Sequence, residues 1–214
     1  MVIRAALGGG AAIAEDLQFL EGVGSSIAPC GLRLYPQSDP ETPTAGKVTL
    51  HVAQTVGVDG DVVEPEDVGL IQSLYEESKD PDPPTAWIMR PGLYAVLANR
   101  RADAVAAGDK KGVFLFPMIR DQVASTQKGL SGVKAVTTVQ LSRNDVKGSA
   151  SNLHVLLYGN FNRVLIGRSG AMELAASEHI KFLQDRTVLR AIVRSDMGLE
   201  HEQSFVITRN LRQV

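Results

Sequence analysis

The chain has 214 residues, of which 44% are hydrophobic and 21% charged, and its formal net charge is −2. That length supplies a core for one large domain or two small ones, and the near-neutral balance excludes a basic surface built to coat nucleic acid. Cys30 is the single cysteine and cannot close an intramolecular disulfide, and the sequence has no apolar run of the eighteen or more residues that a membrane-spanning helix needs.

In chain order, Ala11–Glu21 predicts a helix, because Ile13, Leu17 and Leu20 recur at i, i+4 and i+7 on one face. Val2–Glu21 as a whole reads as a helix with a flaw at its centre, since Gly8, Gly9 and Gly10 together cost about 2–3 kcal/mol in a helix interior; a start only near Ala11 is the alternative. The opening MVIRAALGGGAAIA has the small apolar residues of a signal peptide, but the Gly triplet interrupts it and Glu15–Asp16 follow directly, so it reads as mature sequence. Gly22 stands where a helix C-cap prefers glycine, and Cys30 beside Pro29 reads as a half-buried structural thiol.

From Gln37 to Gly46 the chain is rich in Pro, Asp, Ser and Thr and predicts a surface loop; Lys47–Val56 alternates loosely as a strand. Val62–Lys79 predicts a second helix with Pro65 in its first turn, Glu66 and Asp67 at its positive end, and Val68, Ile71 and Leu74/Tyr75 as the apolar stripe. The run Asp80-Pro-Asp-Pro-Pro84 stops it. Ala86–Met89 reads as a short buried strand, and Pro91 opens a third helix through Arg101 with Leu93, Val96 and Leu97 facing inward. A loop over 102–112, a short strand at Val113–Phe116, a turn at Gly129–Gly132 and a strand at Lys134–Leu141 follow, so residues 31–160 predict an α/β or α+β middle.

The last third carries five alternating apolar runs with turn residues between them: Leu153–Tyr158, Val164–Gly167, Met172–Ala176, Thr187–Arg194 and Ser204–Thr208. In Thr187–Arg194, Leu189, Ala191 and Val193 point to one face and Arg190, Ile192 and Arg194 to the other. The opening helix is expected to cover one face of this strand, leaving the other to solvent or a neighbouring subunit.

Catalytic signatures are missing. Neither a G-x-x-x-x-G-K-[ST] loop nor a G-x-G-x-x-G after a strand occurs, and His201-Glu202 is not followed by x-x-His. Ser131 in GLSG and Ser169 in GRSG miss the nucleophile-elbow spacing, and His51, His154, His179 and His201 lack metal-ligand spacing. Glu15, Asp16 and Glu21 could be paired acids for acid–base work, but a solvated helix face explains them at least as well, and in a shell they could meet basic residues of an adjacent subunit. Arg100-Arg101 and Lys110-Lys111 flank a loop without the interleaved aromatic residues that base stacking requires. No catalytic, cofactor-binding or metal site is assigned.

Three stretches carry a family likeness: AIAEDLQFLEGVGSSIAPCGL, then AWIMRPGLYAVLANRR followed by GVFLFP, then LLYGNFNRVLIGRSGAMELAASEH with LQDRTVLRAIVRSDMGLEHEQSFVI. In order and spacing they resemble the bacteriophage major capsid proteins of the Hong Kong 97-like fold. The resemblance implies an α+β chain with a peripheral domain, residues 1–30 plus 164–200, in which a spine helix lies on an antiparallel sheet. Residues 31–163 plus 201–214 would form a mixed α/β axial domain around the capsomer axis.

The resemblance further implies a structural protein rather than an enzyme, with no cofactor: a major capsid subunit of a tailed phage or prophage. Its partners would be copies of itself in pentamers and hexamers, with packaged DNA met only through the shell interior, no membrane and no small-molecule substrate. Its place would be the virion, after assembly in the bacterial host cytoplasm. The family's N-terminal arm and extended loop do not precede the helix here, which implies a truncated form or a fragment assembling weakly, as monomers or small rings, and leaves the family's cross-linking lysine without a counterpart. Candidate subunit contacts are Asp80, Asp82, Arg101, Lys110 and Lys111 on axial loops, and Arg190 and Arg194 between rings. An encapsulin-like nanocompartment shell shares the fold; a small α/β enzyme would instead require a concave site with convergent polar groups.

Overall fold

The computed structural model describes residues 2–25, 27–38, 47–51, 59–60, 62–78, 80–101, 115–116, 128–181 and 186–212. In order these form helix α1 (Val2–Glu21), strands β1 (Val23–Ser25), β2 (Ala28–Cys30), β3 (Gln37–Ser38) and β4 (Val48–His51), helix α2 (Pro65–Glu77), β5 (Ala86–Met89) and helix α3 (Pro91–Asn99). There follow β6 (Gly129–Leu130), β7 (Val133–Thr137), β8 (Asp145–Lys147), β9 (Ala150–Gly159), β10 (Val164–Arg168), β11 (Glu173–Lys181), β12 (Arg186–Ile192), β13 (Ser195–Leu199) and β14 (Phe205–Leu211).

Local chemistry explains where the middle helices start. Pro65 and Pro91 each open a helix at the first position, where a missing N–H costs nothing. The Glu64 backbone N–H donates to Asp67 Oδ2 at 2.8 Å, satisfying one of the donors a helix start leaves open. In α3 the inward face is Leu93, Tyr94, Leu97 and Ala98, while Val96, expected inward, is half-buried. Ser131 and Gly132 both have positive φ, 49° and 80°, and make the tight turn joining β6 to β7.

The centre is a mixed sheet in the order β3-β4-β14-β9-β5-β7-β6, with β8 added beside β9. Strand β9 pairs antiparallel with β14 on one side and β5 on the other, while β4 runs parallel to β14 and β7 parallel to β5. The strict two-residue period of β9 divides two cores. Leu156 and Tyr158 join Trp87, Met89, Val206 and the buried faces of α2 and α3 in one. Val155 and Leu157 join Phe205, Ile207, Val48, Leu32, Met197 and Leu199 in the other, against which Phe19 and Leu20 of α1 pack.

The structure decides several of these expectations. Helix α1 runs unbroken from Val2 through the glycine triplet, since Ala5, Ala6, Ala11, Ala12 and Ala14 on either side are strong helix formers that carry it across. Its apolar stripe is covered only at the C-terminal end: Leu20 packs on the core, but Leu17 is 40% and Ile13 57% exposed. The helix therefore does not cover β12, which among the described residues pairs with β11 in a two-stranded ribbon. Gly22 directly follows the last residue of α1, without a positive φ; it is buried, and a Cβ there would stand 2.3 Å from the Pro29 carbonyl oxygen. Of the strand expected at Val113–Phe116, residues 115 and 116 form a bend that buries Phe116, and 113–114 lie outside the described residues, as do 102–112; of the loop expected at Gln37–Gly46, Gln37–Ser38 instead form β3 beside β4 and 39–46 lie outside the described residues.

Candidate subunit-contact surfaces and the junction that orients them

Where α1 meets the sheet, backbone lies on backbone. The Gly31 N–H donates to the Gly22 carbonyl at 2.9 Å, and a Cβ on Gly31 would fall 2.3 Å from the Gly22 nitrogen and 2.6 Å from that of Glu21. Only glycine permits this approach.

Around it sits a row of partly buried ions. Arg33, in the turn after β2, donates through Nε to Glu21 at 2.5 Å and through Nη1 to Asp145 of β8 at 2.8 Å. Asp145 also accepts from Arg209 of β14 at 3.2 and 3.4 Å, and Glu21 accepts the Ser142 N–H at 2.7 Å. Side-chain exposures of 13% for Arg33, 11% for Glu21 and 8% for Asp145 place these bonds largely out of water, where charge-assisted hydrogen bonds are strongest. The last turn of α1 is thus tied to both β8 and β14.

A second cluster gathers around Arg163, in the turn after β9. Its Nη2 reaches Asp80 at 3.2 Å and Asp82 at 2.9 Å, and its Nη1 reaches Glu200 at 3.1 Å. The Asp80 side chain has no solvent exposure. Burial alone would raise its pKa, but hydrogen bonds from Ser204, the Asp82 backbone and Arg163, with the guanidinium charge, hold it down at about 2. Tyr75 Oη donates to the Asp82 carbonyl at 2.7 Å. The proline-rich strap is fixed in this way to α2 and to the turns that enter β10 and β14.

The other surface is an arm. Strands β10 and β13 pair from Val164↔Leu199 to Arg168↔Ser195, the Ser169 N–H donates to the Arg194 carbonyl at 2.9 Å, and the ladder resumes from Glu173↔Ile192 through β11 and β12. One two-stranded ribbon therefore leads away from the core. At its base Met197 and Leu199 are buried and the Arg168 guanidinium forks onto Glu15 of α1, one bond being Nε to Oε1 at 3.1 Å. Further out, Leu174 is 47% and Leu189 46% exposed.

The sequence-derived contact residues divide accordingly. Asp80 is internal and serves the strap; Asp82 is exposed but pairs with Arg163. Arg101, in an isolated bridge just after α3, is half-buried. Lys110 and Lys111 lie outside the described residues. Arg190 is exposed on the arm, and Arg194 pairs with Glu173 across it at 2.5 Å. Sequence reasoning passed over Arg33, Asp145, Arg163 and Arg209, whose partners lie up to 112 positions away. His154 is buried on β9 and His201 shares a hydrogen bond of 2.9 Å with Ser204, while burial pushes the half-buried Cys30 thiol up.

Comparison with known proteins gives a consistent picture. The chain is similar in fold to the capsid of an empty GTA particle computed with C5 symmetry, with 14% identity and a TM-score of 0.65 over 98% of this chain and 65% of that one. It is similar to the SrpI encapsulin of Synechococcus elongatus PCC 7942, in its holo complex, with 11% identity and a TM-score of 0.56 over 99% and 66%. A chain of Mycobacterium phage Che8 aligns at 10% identity and a TM-score of 0.52 over 95% and 61%. The chain thus spans about 65% of the length of the GTA capsid chain. No curated protein matches it in sequence. These likenesses give the fold, the α+β Hong Kong 97-like capsid fold. A family model described as the phage capsid family matches residues 2–210, and the chain belongs to that family.

Proposed function

We propose that the chain is a shell subunit, a major capsid protein of a tailed phage or prophage that works by self-assembly rather than catalysis. The observation that carries this reading is the family match over residues 2–210, nearly the whole chain. The architecture suits the task. A rigid sheet with α2 and α3 on one face supplies a block, while α1 and the β10–β13 arm leave from its other face with apolar surface uncovered. A subunit that must meet several neighbours gains its affinity from many moderate contacts, and heterologous contacts between unlike patches close into rings.

On this reading residues 31–163 with 201–214 form the axial domain and residues 1–30 with 164–200 the peripheral one. The axial loops, with Arg101, Lys110 and Lys111, would meet around a five- or six-fold axis, and the arm, with Arg190 and Arg194, would meet neighbouring rings. The products would be pentamers and hexamers of the virion shell, assembled in the host cytoplasm, with packaged DNA touched only from inside. The fold likeness to an encapsulin gives a second reading, a nanocompartment shell. Negative-stain microscopy of the purified chain tests the shared core of both: five- or six-fold rings support it, and featureless single subunits at all concentrations count against it. Protein cargo, rather than DNA, inside shells recovered from cells would favour the second.

A further inference from the structure

The arm returns to the sheet through the turn at His201–Ser204, and that turn is fastened to the place where the arm leaves. The Glu200 N–H donates to the Arg163 carbonyl at 2.9 Å and the Asn160 N–H to the Ser204 carbonyl at 3.1 Å. Arg163 reaches Glu200 on the returning side and Asp80 on the strap. Through this root runs a chain of three side chains. His201 Nδ1 and Ser204 Oγ are 2.9 Å apart, and the same hydroxyl hydrogen-bonds to the Asp80 carboxyl group. Ser204 is fully buried and the Asp80 side chain has no solvent exposure, so water does not compete for these bonds.

The hydrogens of the chain follow from its far end. Asp80 Oδ1 accepts from Arg163 Nη2 at 3.2 Å and from the Asp82 N–H at 3.1 Å. A carboxyl group held by a guanidinium and an amide N–H is ionised, and an ionised carboxylate only accepts. Ser204 must therefore donate to it. A hydroxyl has one proton to give, so on its other side the Ser204 oxygen accepts, and the hydrogen in the 2.9 Å contact belongs to His201 Nδ1. The bond at one ring nitrogen thus settles the proton on both.

We infer that the chain runs one way, from His201 Nδ1–H through the Ser204 hydroxyl to Asp80, and holds the neutral ring as its Nδ1–H tautomer with Nε2 as the acceptor. A free histidine side chain favours the other form, with the hydrogen on Nε2, so the preference is imposed by the fold. The device couples the proline-rich strap to the root of the arm: a change in what Asp80 accepts alters what Ser204 donates, and is read at His201. The coupling belongs to the folded subunit, whatever that subunit assembles into.

The test is a long-range proton–nitrogen magnetic resonance spectrum of the isotopically labelled chain at about pH 9, well above the ordinary histidine range. His201 is identified as the ring signal that persists in His51→Gln, His154→Gln and His179→Gln. The expected result is an Nδ1–H form favoured about tenfold or more over Nε2–H. In Ser204→Ala the acceptor is gone and that ratio should fall about tenfold. In Asp80→Asn the amide can donate to the hydroxyl, which then turns its own proton to Nδ1, and the ratio should fall likewise. Native Trp87 fluorescence shows that each variant is folded. A wild-type ring found mainly as Nε2–H would overturn the direction of the chain, and that reading needs no variant to fold. A wild-type Nδ1–H form that both folded variants leave unchanged would overturn the coupling.

Discussion

Replacing Arg33 with alanine removes a side chain that links α1 to the sheet through two carboxylates. The bonds lost are Nε to Glu21 at 2.5 Å and Nη1 to Asp145 at 2.8 Å. Each charge-assisted bond is worth about 1.5–3 kcal/mol in such surroundings. Glu21 keeps the Ser142 N–H and Asp145 keeps Arg209, so neither acid is stranded entirely. The residual solvent access of about a tenth on each partner lowers the figure further. The net expectation is a loss of about 2–4 kcal/mol, which at a typical urea dependence near 2 kcal/mol per molar moves the midpoint down by about 1–2 M. Trp87 is the sole tryptophan and fully buried in the α2/α3 core, so its fluorescence follows the unfolding of the sheet. Amide exchange along α1 should quicken in the same variant. Arg33→Lys should recover little, because one ammonium cannot fork between two acids. A midpoint within about 0.2 M of wild type, with α1 exchange unchanged, would refute the view that this ion row fastens the helix.

Gly31→Ala should be more damaging than an ordinary surface change, about 1–3 kcal/mol, because the added methyl meets the backbone of Glu21 and Gly22, which cannot step aside as a side chain could; thermal unfolding measures it. The reverse is expected for Gly8, Gly9 and Gly10 changed together to alanine. Nothing lies within 4 Å of the added methyls, so helix propensity should rise by about 2–3 kcal/mol in total, read as slower amide exchange in α1 and greater far-ultraviolet helicity. For Asp80 the folded-state pKa of about 2 lies below the unfolded value near 4. Its contribution is therefore complete above about pH 4 and is lost as pH falls towards 2. Urea midpoints of wild type and Asp80→Asn taken from pH 6 to pH 2 should converge at the acid end; a constant gap would refute the assignment.

What the sequence made legible were features with a local period. The alternation in Leu153–Tyr158 and in the Val206 region marks strands β9 and β14, and the proline starts mark α2 and α3, because each pattern is written within a few residues. Strand β13 escaped notice: Ser195–Leu199 contains Asp196 and Gly198, and it is held as a strand by its ladder to β10 rather than by its own composition. The ion rows were invisible for a related reason, since Arg33 meets Asp145 only after the chain has folded. The stripe Ile13, Leu17 and Leu20 was read correctly as a helix face, yet its cover was misjudged. The same spacing serves a face buried in its own subunit and one left open, and only the exposures of 57%, 40% and a packed Leu20 separate the two. The contact residues fared unevenly because charge alone does not tell an internal carboxylate such as Asp80 from an exposed one such as Asp82.

The central claim, that this is a self-assembling shell subunit, is tested most directly by mass in solution, from light scattering over a wide range of concentration with negative-stain images of the same samples. The account predicts a mass that climbs with concentration to that of five or six subunits or more, with rings or shells in the images. A mass that stays at one subunit throughout, over a field of single particles, would contradict it.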